Sequence, residues 1–309
     1  MFDGHYDLLT ILYLCYLKKD FTYVEEISKN FNKNNVEGLI ANLYFMSEEE
    51  MQEEFGNYYD KNISVLEMFK IATNLYHKYF KDTKVIFSIE GADYIKDTKE
   101  LEELYNLGLR NILIVWNNKN KYASGNNTSL GLTELGEVFI KKAIDLGISI
   151  DLSHTNEASF FAIIEVIKKE ILLGKKPIVI ASHSNCYSLC PVKRNLKDEQ
   201  LKAIKEVNGK VGLVGYGPFI DIDNNNLKLN YLKHINYAVN ILGVDNIFIA
   251  TDDMDFATTL YNIEEGDSVF SYNNIKEEVT KILSTTYNSI DIKKILRENI
   301  ERDILKEEK

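Results

Sequence analysis

Residues 147–156 read Gly-Ile-Ser-Ile-Asp-Leu-Ser-His-Thr-Asn. Gly147 follows an amphipathic stretch, at a place where a helix C-cap favours glycine. The short apolar run Ser149–Leu152 predicts a strand that is buried on both faces, as strands of parallel sheets are. Asn156 is a good N-cap for the helix that we expect to follow. This stretch therefore predicts one βα unit of a parallel sheet.

The same alternation continues towards both ends of the chain. Short runs rich in Val, Ile, Leu and Phe predict eight strands, at Met1–Gly4, Gly38–Phe45, Val85–Ile89, Asn111–Val115, Ser149–Leu152, Ile178–Ser182, Lys210–Val214 and Asn246–Ala250. Amphipathic stretches predict helices at Leu8–Lys19, Met46–Phe55, Ser64–Tyr79, Lys99–Asn106, Leu132–Leu146, Asn156–Ile171, Leu196–Glu206, Asn230–Leu242, Ile275–Thr285 and Ile290–Ile300. Further glycines are expected between a helix and the next strand, at Gly108, Gly174, Gly209 and Gly243.

Eight successive βα units predict an α/β fold, a (β/α)8 barrel of the TIM type, because crossover connections of this kind produce a parallel sheet. We expect one domain over residues 1–309. An open doubly wound sheet is the alternative. That fold favours a glycine-rich phosphate loop after the first strand, and the sequence has none there.

Composition excludes several classes of function. The 309 residues are 45% hydrophobic and 27% charged, which predicts a packed core. The net charge of −11 disfavours nucleic-acid partners and anionic membrane surfaces. The acidic N-terminus lacks the basic region of a signal peptide, and Leu8–Leu17 is too short to span a bilayer. Three cysteines without disulfide spacing complete the expectation of a cytoplasmic protein.

Metal-binding side chains follow several predicted strands. The first strand is followed by His5 and Asp7, the third by Glu90, the fifth by His154 and the sixth by His183. A barrel brings the C-terminal ends of its strands together, so these groups should converge. Imidazole and carboxylate ligands suit zinc or a similar ion. Five ligands exceed the needs of one catalytic zinc and fit two ions that share a carboxylate, roughly 3.5–4 Å apart.

Several segments resemble the membrane (renal) dipeptidase family of zinc metallopeptidases. The segments that carry the resemblance are Asp3–Leu8, Ile89–Gly91, Ile150–His154, Ser182–Ser184 and Arg194-Asn195, with weaker similarity in Gly108–Arg110, Gly131–Gly136 and His234-Ile235. Their order and spacing match a bacterial, cytoplasmic-type member from residue 3 to about residue 255. The resemblance implies a (β/α)8 barrel with two Zn²⁺ ions that hydrolyses dipeptides.

The resemblance also implies which residues would bind each ion. His5 and Asp7 would hold the first zinc ion, and His154 and His183 the second. Glu90 would bridge the two ions and so belong to the catalytic groups as well as to the ligands. A hydroxide that bridges the ions would attack the scissile carbonyl.

The remaining implied roles concern substrate. Arg194 would bind the C-terminal carboxylate of the dipeptide, which suits its planar pair of donors. Asp252 would pass a proton from the attacking water to the leaving amine. Trp116 stands where the mammalian enzyme has a histidine that touches substrate, so transition-state stabilisation there would come from Asn117 or the ions. Trp116 and Asn117 are the other expected substrate-binding residues. The segment Ala250–Phe256 departs from the family pattern around Asp252.

That departure leaves two alternatives open. One is a related binuclear amidohydrolase or lactonase that acts on another small substrate. The other is a metal-binding barrel that has lost turnover. The expected partner is a small dipeptide, and a homodimer is left open. The other histidines and cysteines are expected to serve packing or surface roles, namely His77, His234, Cys186 and Cys190.

Overall fold

Eight parallel strands form the sheet, and they follow one another in chain order. The computed structural model describes residues 1–44, 52, 56, 60, 62–223, 225–253, 268–270 and 274–303. The strands are β1 (Phe2–Tyr6), β2 (Gly38–Tyr44), β3 (Lys84–Glu90), β4 (Leu109–Leu113), β5 (Ser149–Asp151), β6 (Val179–Ala181), β7 (Lys210–Val214) and β8 (Ile247–Ala250). The backbone N–H of Asp252 donates to the His5 carbonyl (3.1 Å), which joins the end of β8 to β1. The predicted (β/α)8 barrel is confirmed.

Helices occupy the connections between strands. They are α1 (Leu8–Lys18), α2 (Thr22–Lys33), α3 (Val65–Tyr79), α4 (Thr98–Asn106), α5 (Glu134–Leu146), α6 (Glu157–Leu172), α7 (Asp198–Glu206), α8 (Leu227–Leu242), α9 (Ile275–Leu283), α10 (Ser289–Lys293) and α11 (Asn299–Asp303), with a π-helical stretch at Lys294–Glu298. Short 3₁₀ turns lie at Ala92–Tyr94, Gly217–Phe219 and Val244–Asn246. None of the helices in the described ranges has the length and hydropathy needed to cross a membrane.

The structure corrects several predicted boundaries. β1 extends to Tyr6 rather than Gly4, so His5 lies inside the strand. β4 ends at Leu113 rather than Val115. No helix was predicted at α2, because only Val24, Ile27 and Phe31 on it are buried and the rest of its sequence is largely polar. The predicted helix Met46–Phe55 lies almost wholly outside the described residues.

Glycines at helix ends behave as expected with one exception. Gly147 caps α5 in the left-handed conformation with φ +77°. After α7, however, Asn208 takes the positive φ of +55°, and Gly209 does not. A Cβ on Gly209 would lie 2.9 Å from the Ile204 side chain, so this glycine serves close packing rather than a left-handed turn.

The interior of the barrel changes from apolar to polar along the strands. A compact apolar cluster fills its N-terminal end and consists of Phe2, Ile40, Ile86, Ile180, Phe248 and Ile300. Alternate residues of a strand share a face. On β3, therefore, Ser88 and Glu90 follow Ile86 into the interior, towards the C-terminal end. The polar groups of the barrel thus collect at the C-terminal ends of the strands, where barrel active sites lie.

Candidate functional site

The predicted ligand residues converge at the C-terminal end of the barrel. Within the described residues, three overlapping groups have ligand atoms within 4.8 Å of one another: His5, Asp7 and Glu90; Glu90, His154 and His183; and His5, His183 and Asp252. His154 and Asp252 both adopt left-handed backbone conformations, with φ of +65° and +50°. Non-glycine residues adopt this conformation rarely, and its strain concentrates at functional sites.

Glu90 lies at the centre of these groups, and its two oxygens face different histidines. Its Oε2 is 3.2 Å from Nε2 of His5. Its Oε1 is 2.8 Å from Nε2 of His154 and 3.7 Å from Nε2 of His183. Asp7 Oδ1 and Asp252 Oδ1 each lie 3.8 Å from Nε2 of His5. One carboxylate is therefore shared between two sets of side chains.

Hydrogen bonds on the far side of the imidazole rings determine which nitrogen faces Glu90. Oδ1 of Asn117 lies 2.9 Å from Nδ1 of His154. An amide oxygen can only accept, so Nδ1 carries the proton and Nε2 keeps a free lone pair. Ser182 Oγ lies 2.7 Å from Nδ1 of His183 and 3.3 Å from Nδ1 of His5. Acting as a double acceptor, this hydroxyl would fix the same tautomer on both rings.

The arrangement fits a cation better than it fits hydrogen bonding within the protein. Nε2 of His154 and Nε2 of His183 face each other at 2.9 Å. If both rings carry their protons on Nδ1, no proton lies between these two acceptors. Nε2 of His5 is buried, and Oε2 of Glu90, 3.2 Å away, is not aligned with it for a hydrogen bond. Imidazole nitrogens and carboxylate oxygens suit zinc and similar divalent ions.

The electrostatics of the metal-free site also favour bound positive charge. Burial alone would lower the pKa of His5, but the charge of Glu90, with Asp252 and Asp7, raises it to about 10. Burial opposes ionisation of Glu90, yet His154 and His5 hold the pKa of Glu90 well below its usual range. Burial, with a smaller contribution from Arg194, lowers the pKa of His154 to about 4. His154 therefore stays neutral at pH 7, the form that binds a metal, whereas His5 would release its proton when an ion binds.

Asn42 is a further component of the site, and the sequence analysis did not find it. Its side-chain Nδ2 donates to Oδ1 of Asp7 (2.9 Å) and to Oε2 of Glu90 (2.6 Å). It lies on β2 and is fully buried. The available signal was the strand alternation: Ile40 faces the interior, so Asn42 must face it too.

Two buried aspartates hold the ends of the strands in place. Oδ1 of Asp3 accepts from the backbone N–H of His5 (3.2 Å) and of Thr251 (2.9 Å). In the same way, Oδ1 of Asp151 accepts from the backbone N–H of Ser153 and of Ser182, both at 3.0 Å. Each carboxylate therefore ties together two strand ends that carry site residues.

A cavity of about 350 Å³ opens over these residues. Arg194, Trp116, Asn117 and Asp252 line it. Nη2 of Arg194 donates to the His183 carbonyl (3.1 Å), while its Nε is buried without a hydrogen-bond partner among the described residues. Trp116 is 37% exposed, and its ring centroid lies 4.9 Å from that of Tyr44. All four predicted substrate-side residues thus border one space.

The remaining histidines and cysteines lie apart from this centre. Nδ1 of His234 accepts from the backbone N–H of Cys186 (3.1 Å), and its Nε2 lies 3.0 Å from the Ile220 carbonyl. His234 therefore joins the loops that follow β6 and β7. His77 is exposed on α3. Cys186 and Cys190 are buried free thiols.

Comparisons with known proteins identify the family of this chain. A family model described as membrane dipeptidase (peptidase family M19) matches residues 2–309. A protein from the pqqA 5′ region of Klebsiella pneumoniae is 32% identical over 181 residues, which are 54% of this chain and 64% of that protein. The dipeptidase aclJ of Aspergillus oryzae is 25% identical over 235 residues, 74% of this chain and 53% of that protein. The chain thus spans less than two thirds of the length of these curated relatives.

A solved structure shows the same fold. It is a metallopeptidase from Rhodobacter sphaeroides, bound to a phosphinate mimic of the dipeptide L-Ala-D-Ala. The TM-score is 0.76, with 20% sequence identity and 98% of both chains covered. At this identity, the likeness supports the barrel fold alone.

Proposed function

Because the chain belongs to the membrane dipeptidase family, peptidase family M19, we propose that it hydrolyses the peptide bond of dipeptides at a centre of two zinc ions. The observation that carries this proposal is the position of Glu90. One of its carboxylate oxygens faces His5 and the other faces His154. A carboxylate placed in this way suits a bridge between two ions.

The side chains divide into two ligand sets around Glu90. His5 and Asp7 would hold one ion, and His154 and His183 the other. When bound, such a pair of ions polarises a carbonyl and lowers the pKa of water. Asn117 and Ser182 would keep the imidazoles in the tautomer that metal binding needs.

Asp252 is the group best placed to move a proton. It lines the cavity, and its carboxylate lies 3.8 Å from Nε2 of His5. Burial raises the pKa of Asp252 above its ordinary value, which makes the carboxylate a better proton acceptor. We assign it the transfer of a proton from the attacking water to the leaving amine.

Arg194 is the group best placed to bind the end of the substrate. It is the only arginine among the described residues that line the cavity, and its Nε is unpaired among them. A guanidinium binds a carboxylate through two parallel hydrogen bonds. We therefore assign it the C-terminal carboxylate of the dipeptide. Trp116 and Asn117, which line the same cavity, would border the substrate.

Charge and cysteine chemistry support the proposed setting. The net charge of −11 and the free thiols of Cys15, Cys186 and Cys190 suit a cytoplasmic protein without nucleic-acid or membrane partners. We propose a single barrel domain over residues 1–309 with a small dipeptide as its substrate. A homodimer is compatible with this proposal, and sedimentation would test it.

Metal analysis combined with hydrolysis assays tests the function. We expect purified, zinc-loaded protein to hold two ions and to cleave members of a panel of L-L and L-D dipeptides. Glu90→Gln should lose at least one ion together with activity. Protein that binds no zinc and leaves the whole panel intact would contradict the proposal.

The same experiment separates the alternatives. Hydrolysis of lactones or acylated amino acids with no cleavage of dipeptides would identify another binuclear hydrolase. Full zinc occupancy without turnover of any amide or ester would identify a metal-binding barrel. The segment that motivates the second alternative, Ala250–Phe256, is described only as far as Asp253.

A further inference from the structure

A second cavity lies beside the one over the candidate metal centre. Its volume is about 430 Å³. Asn126 and Lys193 line both cavities, so the two spaces meet at these residues. The loop that contains Lys193 follows β6 and continues directly into Arg194. The second cavity is therefore placed to receive a part of whatever Arg194 binds.

Most polar side chains in the second cavity already bind the protein itself. Nδ2 of Asn156 donates to the carbonyls of Thr128 (2.8 Å) and Leu130 (2.6 Å). Nδ2 of Asn195 donates to the Cys190 carbonyl at 2.9 Å. These bonds hold the walls of the cavity in place. They also leave few side chains free to bind a ligand.

Charge singles out one of those side chains. The charged residues that line the second cavity, within the described ranges, are Glu157, Lys193 and Lys197. Lys197 pairs with Glu157 at 2.6 Å, so these two charges balance. No hydrogen bond or ion pair engages Lys193 in the part of the chain that the structure describes. Lys193 is exposed, and it is the one positive charge of this lining without an acidic partner among the described residues, so a ligand carboxylate would pair with it.

We propose that this second cavity binds an acidic side chain on the C-terminal residue of the dipeptide, with Lys193 as the residue that determines this specificity. The proposal rests on the proposed dipeptidase function. Arg194 would bind the α-carboxylate of that residue, and Lys193 precedes Arg194 in the chain. The side chain of the same substrate residue would then extend past Asn126 towards the Lys193 ammonium group.

Two substrates of nearly equal size isolate the effect of the negative charge on the substrate side chain. Alanyl-glutamate and alanyl-glutamine differ only in the ionised group of the second side chain, and both stereoisomers at that residue would be assayed. We expect the wild-type protein to favour the glutamate substrate in kcat/KM. In Lys193→Met, the glutamate-to-glutamine ratio should fall about fivefold, as expected for loss of an exposed ion pair at the strong end of its range.

Two further variants make the test specific. Lys193→Glu should reverse the preference and favour alanyl-lysine over alanyl-glutamate. Lys202→Met removes the same charge from an exposed position on α7, and the ratio in that variant should equal the wild-type ratio. A long-range effect of net charge would instead change the ratio equally in Lys193→Met and Lys202→Met, and that result would overturn the proposal.

Failure of the subsite and failure of the dipeptidase function give different results. If dipeptides are cleaved with no preference for glutamate, or Lys193→Met leaves the ratio unchanged, the subsite proposal is wrong and the function stands. If no dipeptide is cleaved, calorimetric titration of zinc-loaded protein with the same two dipeptides decides the question without turnover. Equal affinities, or affinities that Lys193→Met does not alter, would then reject the subsite as well.

Discussion

Replacing Asn42 with leucine should weaken metal binding without changing any ligand. Asn42 donates to Asp7 at 2.9 Å and to Glu90 at 2.6 Å, and each bond fixes the direction of a carboxylate that we assign to the metal centre. Leucine keeps the approximate size of the side chain and removes both donors. Asn42→Leu therefore tests whether the metal centre depends on its hydrogen-bonded surroundings.

The size of the effect follows from the number and kind of bonds lost. A hydrogen bond to a charged group contributes about 1.5–3 kcal/mol. The bound ions would still attract both carboxylates, so only part of the contribution of the two bonds is lost. Removing an outer hydrogen-bond partner of metal ligands typically weakens binding about 10–100-fold, which corresponds to about 1.4–2.8 kcal/mol. We expect a loss within this range for the more weakly bound ion.

Competition with a chelator provides the assay, with Asn111→Leu as the matched control. Asn111 is also a fully buried strand asparagine, and its Nδ2 donates to Ser88 (2.9 Å) and Asp151 (3.2 Å) instead of to a proposed ligand. Both variants should unfold more easily than the wild type. Only Asn42→Leu should lose metal affinity. Equal metal affinity in Asn42→Leu and the wild type, or an equal loss in both variants, would refute the reasoning.

Three further predictions concern substrate binding, proton transfer and stability. Arg194→Met should lower kcat/KM for dipeptides at least about 30-fold, with a much smaller effect on dipeptide amides, which lack the carboxylate. Asp252→Asn should lower kcat about 10²–10⁴-fold while metal analysis still finds the full complement of ions. Burial lowers the pKa of His234 from 6.5 to about 4. The contribution of neutral, buried His234 to the free energy of unfolding is therefore complete above pH 6.5 and is lost as the pH falls towards 4. Over that interval, the free energy of unfolding of the metal-free protein should fall about 3 kcal/mol further in the wild type than in His234→Gln. Denaturant titration at several pH values measures this difference. If the free energies of unfolding of the two proteins change equally with pH, His234 does not cause the pH dependence.

The barrel could be predicted from the sequence because each strand and helix has a pattern within its own short segment. Short runs of Val, Ile and Leu mark strands that are buried on both faces, and residues such as Asn156 mark helix starts. The ligand residues could be proposed because each follows a different predicted strand, and a barrel joins those strand ends. Helix α2 was missed since its few buried residues give a weak pattern.

The contacts around the ligands could not be predicted in the same way. Asn42 lies between apolar residues in the sequence, which gives no sign of a polar site. Only the register of β2 against β3 in the folded barrel brings its amide to Glu90. Asn117 was predicted to touch substrate, and it lines the cavity; the contact of its Oδ1 with Nδ1 of His154 was not predicted. Such contacts depend on distances between elements that are remote in the chain. No pattern within one segment contains that information.

Anomalous diffraction from crystals of the zinc-loaded protein, recorded at the zinc absorption edge, tests the central claim most directly. The claim is that Glu90 joins two metal sites, one with His5 and Asp7 and the other with His154 and His183. The predicted result is two anomalous peaks, one beside each carboxylate oxygen of Glu90. A single peak, or peaks that do not contact Glu90, would contradict it.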